Sequence, residues 1–205
     1  MHTLLGASEP PTTRFDLAFT VARVPVRIHP LFWLMTLMFG GSNNEISRMM
    51  IWIGVVFTSV LVHELGHALV LRRFGQSVHI VLYGGGGLAI SEPVAWGRGW
   101  AGVALSLRQR VLAAVAGPLA GFLLAALVVL VAYALGGTFI EVRLGIVPWV
   151  VLDLPSWLNA FQFGFNTVLF VNLVWGLMNL MPVYPLDGGQ IARALWLSAD
   201  PVMGV

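Results

Sequence analysis

Three long apolar stretches limit what this chain can fold into more strongly than any other feature of its sequence. They cover residues 49–71, 111–135 and 158–181, and each is long enough to cross a bilayer as a helix, which takes about 20 residues. A shorter stretch at 26–41 is predicted as a further span that precedes them. Of all residues 58% are hydrophobic and only 10% are charged, against roughly 25% charged residues in soluble domains. The chain is therefore predicted to be an integral membrane protein.

The distribution of the basic residues predicts the orientation of these spans. All eleven are arginine, and only Arg48 and Arg143 lie between the first and second or the third and fourth spans. Because positive residues favour the cytoplasm, the N-terminus, residues 72–110 and the C-terminus are predicted to be cytoplasmic. The arginines are scattered among apolar segments and form no basic face, which argues against binding to nucleic acid. We expect a multi-pass protein of a prokaryotic cell membrane.

Residues 76–93 follow a different pattern, in which alternating apolar residues lead into four glycines and a second short apolar run. This pattern predicts two short strands around a glycine turn, whose exposed edge can pair with an extended peptide; a glycine-rich loop is the alternative. The predicted fold is an all-α polytopic membrane protein, a bundle of about four to six transmembrane helices with a short membrane-associated β hairpin or sheet. We divide the chain into a cytoplasmic N-terminal segment, 1–25, and a single domain, 26–205. The connection between the third and fourth spans fits interfacial, re-entrant or short turn structure equally well.

Three titratable side chains, His63, Glu64 and His67, lie inside the second apolar stretch in the sequence HELGH. Histidines four residues apart project from one face of a helix and can share one ion, while the glutamate can reach a bound water. A charge at the centre of a span costs about 2.5 to 3.5 kcal/mol, so this cluster favours a function over simple helix packing. The chain has no cysteine, so a metal must be held by His, Asp or Glu. We expect an open zinc site at which Glu64 takes a proton from zinc-activated water.

Two histidines leave a third protein ligand to be found. The acidic and histidine candidates after the motif are His79, Glu92, Glu141, Asp153, Asp187 and Asp200. A helix that enters near Met49 reaches His63 after about 21 Å of a layer of about 30 Å, which puts the ion in the cytoplasmic half. Asp187 follows the cytoplasmic end of the fourth span, and the prolines and glycines of PVYPLDGG are expected to break the helix there. Asp187 is therefore the predicted third ligand.

Two motifs together resemble the signatures of the site-2 protease family of intramembrane metalloproteases. They are HELGH at 63–67 and N-x-x-P-x-x-x-x-D-G at 179–188. The segments VRIHPLFWL, AAVAGPLAG and LYGGGGLA are similar to the compact branch of that family related to the sporulation-factor processing proteases, so the resemblance covers about residues 20–197. Gln190 stands where an arginine often follows the two glycines, a departure that we expect to matter little.

The resemblance implies a zinc endopeptidase that hydrolyses peptide bonds of transmembrane or membrane-tethered protein substrates in regulated intramembrane proteolysis. By this resemblance His63, His67 and Asp187 would bind one zinc ion, and Glu64 would act as general base. Asn179 would hydrogen-bond the substrate carbonyl or steady the site, with bonding to a neighbouring helix as the alternative. The strand-like segment would hold an unwound substrate as an added strand.

Other functions and assemblies stay open at this point. A zinc transporter also places histidines and acidic residues in membrane helices, and a catalytically inactive binding protein can share the same fold. The family resemblance is also compatible with a homodimer or with a regulatory membrane partner.

Overall fold

The structure of the protein is a computed structural model that describes residues 9–40, 45–93, 105–144 and 147–199. Within these residues the helices are α1 (Pro30–Phe39), α2 (Ile46–Arg73), α3 (Leu107–Ala134), α4 (Ser156–Asn179) and α5 (Asp187–Ala199). The strands are β1 (Leu17–Val21), β2 (Val24–Ile28), β3 (Gln76–Tyr83), β4 (Gly86–Pro93), β5 (Thr138–Leu144) and β6 (Val147–Asp153). Helix α4 begins with a 3-10 turn and contains a π-helical stretch, Val171–Trp175.

Three helices of the described residues, α2, α3 and α4, are long and apolar enough to cross a membrane. They coincide with the three long apolar stretches of the sequence. The further span predicted at 26–41 is instead divided between β2 and α1, which has ten residues and covers only about 15 Å at about 1.5 Å per residue. Helix α1 starts at Pro30 because the preceding His29 caps it: His29 Nδ1 accepts a hydrogen bond from the backbone N–H of Leu31. The hydropathy of the sequence did not distinguish an apolar strand followed by a short apolar helix from a single span.

The predicted hairpin after the HELGH helix is present, because β3 and β4 pair in antiparallel register. They belong to a four-stranded sheet of order β1-β2-β3-β4, in which β2 and β3 are parallel. The all-α description is therefore corrected to a helical membrane bundle that carries a mixed sheet. Strands β1 and β2 meet at a turn where Ala22 and Arg23 have φ values of 49° and 62°. Tight hairpin turns of this kind usually contain glycine or asparagine, and the absence of that signal concealed the hairpin from sequence analysis.

The sheet packs against α2 through alternate strand residues that share one face. Val24 and Val26 of β2, and Ile80 and Leu82 of β3, are at most 2% exposed and lie in one core with Ala68 of α2. This packing supports the helix that carries the two histidines. It also leaves β4 at the edge of the sheet, beside the HELGH motif.

The described residues before β1 are tied to the sheet by Arg27 of β2. Its guanidinium donates to Glu9 Oε1 at 2.6 Å and to Asp16 Oδ2 at 2.8 Å. Hydrogen bonds from Thr13 and Arg27 lower the pKa of the Asp16 carboxyl group to about 2, so this ion pair is complete at neutral pH. The domain boundary predicted at residue 25 falls within β2.

Close contacts hold α3 and α4 against α2. A Cβ on Gly66 would lie 2.8 Å from Ala120 Cβ and closer still to the carbonyl oxygen of Ala116, so glycine lets the two backbones approach. Seven residues earlier on α2, Ser59 Oγ accepts a hydrogen bond from Asn172 Nδ2 of α4 at 2.9 Å. The HELGH helix is therefore held by contacts with both α3 and α4.

The connection between α3 and α4, which hydropathy left undecided, is the antiparallel hairpin β5–β6. Two side chains of α4 anchor it. Asn166 Oδ1 accepts from the backbone N–H of Leu152 at 2.9 Å, and Gln162 Oε1 accepts from that of Leu154 at 2.8 Å. Asn166 therefore has a structural role in anchoring this hairpin.

Candidate metal centre

Helix α2 runs unbroken through the HELGH motif, so His63 and His67 come one turn apart on the same face. Both histidines are only 8% exposed. Their rings are 4.8 Å apart between centroids, and their Nε2 atoms are 3.1 Å apart. The two ring nitrogens therefore point into one small region.

Asp187 is the first residue of α5 and is buried beside the two histidines. The prolines and glycines around it were expected to break the helix of the fourth span, and α4 does end at Asn179, before a separate helix begins at Asp187. Gly188 and Gly189 themselves lie inside α5. A Cβ on either glycine would run into the backbone of residues 180–184. The glycines therefore let the start of α5 pack tightly on the preceding turn, which directs the Asp187 carboxylate back towards α2.

Three side chains converge at this point. Asp187 Oδ2 lies 3.1 Å from His63 Nε2, and Asp187 Oδ1 lies 3.3 Å from His67 Nε2. Ligands at about 2.0 to 2.1 Å from a tetrahedral zinc ion are separated from one another by about 3.3 Å. The spacing of the three side chains matches that separation, and the set of two imidazoles and one carboxylate is one that zinc accepts.

The contacts of His67 are compatible with a shared metal ion. His67 Nδ1 lies 2.7 Å from the carbonyl oxygen of Ala113, which can only accept, so Nδ1 carries a proton. A neutral His67 then directs a lone pair from Nε2 at the Asp187 carboxylate and at His63. A metal ion at this point can be bound by both Nε2 atoms and by the carboxylate together. The residues present therefore fit a metal ion, with Ala113 orienting one ligand.

Helix α3 is shaped to accept His67. A Cβ on Gly117 would overlap the imidazole ring and would lie 2.7 Å from its Cδ2 atom. Only glycine leaves room for the ring against this helix. The segment AAVAGPLAG therefore contributes both the carbonyl group that orients His67 and the space that the ring occupies.

Glu64 lies on the side of the centre that faces β4, and it is 5% exposed. The backbone N–H of Ala89 donates to its carboxylate. A Cβ on Gly87 would lie 2.6 Å from Glu64 Oε1, so the strand passes directly over the carboxylate. Strand β4 therefore positions Glu64, although the motif itself lies entirely in α2.

A cavity of about 350 Å³ opens onto these residues. It is lined by His63, Glu64, His67 and Asp187 together with Asn179, which ends α4 and is half-buried. The structure thus brings all five predicted site residues to one cavity. Within the part of the chain that the structure describes, Asn179 forms no hydrogen bond to His63, His67 or Asp187, and its role stays a prediction.

The other candidates for a third ligand lie elsewhere or outside the described residues. His79 Nε2 is 3.5 Å from Glu9 Oε1. Glu92 lies in β4 opposite Ser77 in β3, and Glu141 and Asp153 lie in the β5–β6 hairpin. Asp200 falls outside the described residues. Among the residues that are described, His63, His67 and Asp187 form the one group suited to hold a metal.

Sequence analysis predicted no site role for four polar residues that line this cavity, namely Arg110, Tyr184, Gln190 and Arg193. Gln190 Nε2 lies 3.5 Å from Asp187 Oδ1, so the departure that was expected to matter little donates to the predicted ligand. The spacing of Gln190 three residues after Asp187 on a helix was the available signal. The two arginines were used only to predict the orientation of the spans, so no role in a cavity was predicted for them.

Comparison with known proteins supports the resemblance that the two motifs suggested. Residues 51–202, most of the chain, match the family described as Peptidase family M50. The chain belongs to peptidase family M50. This is the site-2 protease family, and the M50 match includes both HELGH and the Asp187 motif.

Two proteins of known name are similar to this M50 chain over most of its length. The zinc metalloprotease MJ0392 of Methanocaldococcus jannaschii is 26% identical over 181 residues, which cover 86% of this chain and 44% of the relative. Rip3 of Mycobacterium tuberculosis is 34% identical over 178 residues, which cover 80% of this chain and 37% of the relative. The M50 chain thus spans less than half the length of either relative.

A solved structure has the same fold. The site-2 protease from Methanocaldococcus jannaschii superposes with a TM-score of 0.58 at 23% sequence identity, over 91% of this chain and 74% of that one. At this identity the likeness concerns the fold alone, and it agrees with a helical membrane bundle that carries a sheet.

Proposed function

We propose that this M50 chain is an intramembrane zinc endopeptidase that hydrolyses peptide bonds of transmembrane or membrane-tethered protein substrates. The observation that carries the proposal is the convergence of His63, His67 and Asp187 beside Glu64 in one cavity. The two histidines and the glutamate belong to α2, one of the helices long and apolar enough to cross a membrane. A hydrolytic site at that place acts on substrate within or beside the bilayer.

The side chains divide the work between holding the metal and moving the proton. His63 Nε2, His67 Nε2 and the Asp187 carboxylate would hold one zinc ion. A bound zinc ion supplies a lower pKa for the attacking water and polarisation of the substrate carbonyl. Glu64 takes the proton from that water and later passes it to the leaving amine. Ala89 keeps the Glu64 carboxylate aimed into the cavity through its backbone N–H.

Strand β4 is the proposed binding element for substrate. It is an edge strand of the sheet, and it passes over Glu64 at Gly87. A transmembrane helix shields its peptide bonds by internal hydrogen bonds, so a substrate must unwind before attack. Pairing of the unwound segment with the outer edge of β4 compensates for those lost bonds. Asn179 lines the same cavity, and its proposed role is to hydrogen-bond the substrate carbonyl.

The arginine distribution supports a cytoplasmic placement of the site. Arg72 and Arg73 end α2, five and six residues after the last residue of the HELGH motif. Basic residues favour the cytoplasmic end of a span. We place the N-terminus and the active-site side in the cytoplasm. The two alternative functions receive less support: a transporter needs further ligands along a path, and the described residues contain one group, while an inactive homologue would not need Glu64.

Removal of the metal tests the proposal directly. The purified chain in detergent, incubated with a candidate single-span membrane protein, should cut it, and dialysis against a zinc chelator should abolish cleavage. Restoring one equivalent of zinc should restore the rate, because the three ligands remain in place. Cleavage that survives complete loss of zinc, measured by elemental analysis on the same sample, would contradict the metal-dependent mechanism.

The contact between β4 and Glu64 gives a second prediction. Gly87→Ala should lower kcat/KM by about 100-fold, because the new methyl group displaces the Glu64 carboxylate and small misplacements of a catalytic group are that costly. Zinc content should not change, since no metal ligand is touched. Gly85→Ala is the matched control, because a Cβ there meets nothing within 4 Å. Equal activity of the two variants would show that β4 does not position Glu64.

A further inference from the structure

Two arginines, Arg110 and Arg193, line the same cavity as the candidate metal centre. Arg110 lies in the first turn of α3, where its Nε donates to the carbonyl oxygen of Leu105 at 3.1 Å. Arg193 lies in α5, six residues after Asp187. Both side chains are exposed, and within the described ranges neither forms an ion pair with an acidic residue. Their charged groups are available to a molecule that enters the cavity.

The acidic residues of the cavity already have interaction partners other than the two arginines. Asp187 faces the two histidine rings, and Glu64 accepts from the backbone N–H of Ala89. Two carboxylates and two arginines cancel formally, so a divalent ion at the three ligands leaves the lining with a net charge of about +2. Such a cavity favours an occupant that carries negative charge.

We propose that Arg110 and Arg193 form a carboxylate-binding site for an acidic side chain of the substrate segment, and so select substrates with Asp or Glu near the cleaved bond. This inference rests on the proposed peptidase function. Guanidinium groups bind carboxylates through paired, charge-assisted hydrogen bonds, which makes arginine suited to this recognition. The arginines lie in the cavity that contains Glu64, so the molecule they meet there is the peptide being cut.

The size of the cavity limits where the acidic residue lies. A sphere of this volume is about 9 Å across, and an extended chain advances about 3.3 Å per residue. A carboxylate held by the arginines therefore belongs to a residue within about three positions of the cleaved bond. One placement of the acidic residue should bind best, and more distant placements should bind no better than a neutral one.

Binding of matched peptides tests the site. The probes are fluorescein-labelled twelve-residue apolar peptides with a single Glu moved along the sequence, each paired with the same peptide carrying Gln. Affinities are measured by fluorescence anisotropy in detergent on zinc-loaded Glu64→Gln protein, which leaves the peptides uncut. At the best position, Glu should bind about tenfold more tightly than Gln. Raising the salt from 0.1 to 1 M should reduce this ratio, because screening shortens from about 10 Å to about 3 Å.

Substitutions at the arginines decide the assignment. In the same background, Arg193→Gln and Arg110→Gln should each lower the Glu-to-Gln affinity ratio at least threefold. Arg108→Gln should leave the ratio unchanged, because Arg108 is exposed on the same turn of α3 but does not line the cavity. Zinc content should be the same in all three.

Three outcomes would overturn the carboxylate site. The first is a Glu-to-Gln affinity ratio near one at every position, and the second is an equal effect of the three substitutions on that ratio. The third comes from binding to phosphatidylglycerol vesicles: if Arg110→Gln and Arg193→Gln weaken vesicle binding but leave the peptide ratio unchanged, the arginines bind lipid. Failure of the proposed function looks different: chelation would leave cleavage by the parent protein intact, whereas the binding ratio decides the carboxylate site by itself.

Discussion

Replacing Glu64 with glutamine should lower the cleavage rate by a factor between about 10² and 10⁴ while the protein keeps its zinc. The loss has this size because general acid–base catalysis typically contributes that much. Glutamine has nearly the shape of glutamate, and its amide oxygen can still accept from the backbone N–H of Ala89. It cannot take a proton from water at neutral pH. The rate is measured by single-turnover cleavage of a membrane substrate, beside elemental analysis of zinc.

A matched control separates the charge at position 64 from charge in general. Glu141→Gln removes an exposed carboxylate of the β5–β6 hairpin that does not line the cavity, and this variant should cleave at the parental rate. If Glu64→Gln cleaves as fast as the parent protein, the general-base role is wrong. If it loses zinc in proportion to its activity, Glu64 supports the metal centre and the proton transfer belongs to another group.

Replacing Asp187 with alanine should weaken zinc binding by more than about 100-fold. Changes to groups that only orient a ligand typically cost 10- to 100-fold in affinity, and removal of a direct ligand exceeds that range. The remaining pair, His63 and His67, can hold the ion by two bonds only. Competition with a fluorescent zinc chelator measures the affinity without any need for substrate, and cleavage should fall in parallel.

Two further substitutions compare the loss of the proposed ligand with the loss of a neighbouring side chain and of a carboxylate that is distant in sequence. Gln190→Ala removes the side chain whose Nε2 lies 3.5 Å from Asp187 Oδ1, and it should weaken zinc binding by about tenfold. Asp153→Ala removes an exposed aspartate of β6 and should have no effect. Undiminished affinity in Asp187→Ala would exclude Asp187 as the third ligand. An effect of Gln190→Ala as large as that of Asp187→Ala would show that the Gln190 side chain, and not the Asp187 carboxylate alone, controls the centre.

The parts of the fold that sequence analysis predicted are those that depend on local composition. Transfer of a helix into lipid is favourable in proportion to its apolar residues, so averaging along the chain locates α2, α3 and α4. The spacing of His63 and His67 is equally local, because residues four apart share a helix face wherever the helix lies. The hairpin β3–β4 was found by alternation of apolar residues and by its glycines.

The sheet partners of that hairpin were missed because strand pairing joins distant residues. Ile28 of β2 pairs with Leu82 of β3, which is more than fifty residues later in the chain. Neither segment contains a sequence pattern that identifies its partner strand. The turn at Ala22 and Arg23 lacks the residues that usually mark it. An apolar strand next to a short apolar helix has the hydropathy of one membrane span, and only backbone hydrogen bonding distinguishes the two.

The sequence by itself determined the class of protein, the three long helices, the two motifs and the pairing of Glu64 with a metal site on α2, since these follow from residue type and helical period. It also indicated Asp187, through the depth of two helices. Only the tertiary structure decided that Asp187 meets both histidines, that Ala113 and Gly117 of α3 orient and accommodate His67, and that β4 covers Glu64. Those contacts depend on close approach of segments distant in sequence, which side-chain volume and backbone hydrogen bonds control and which no local pattern contains.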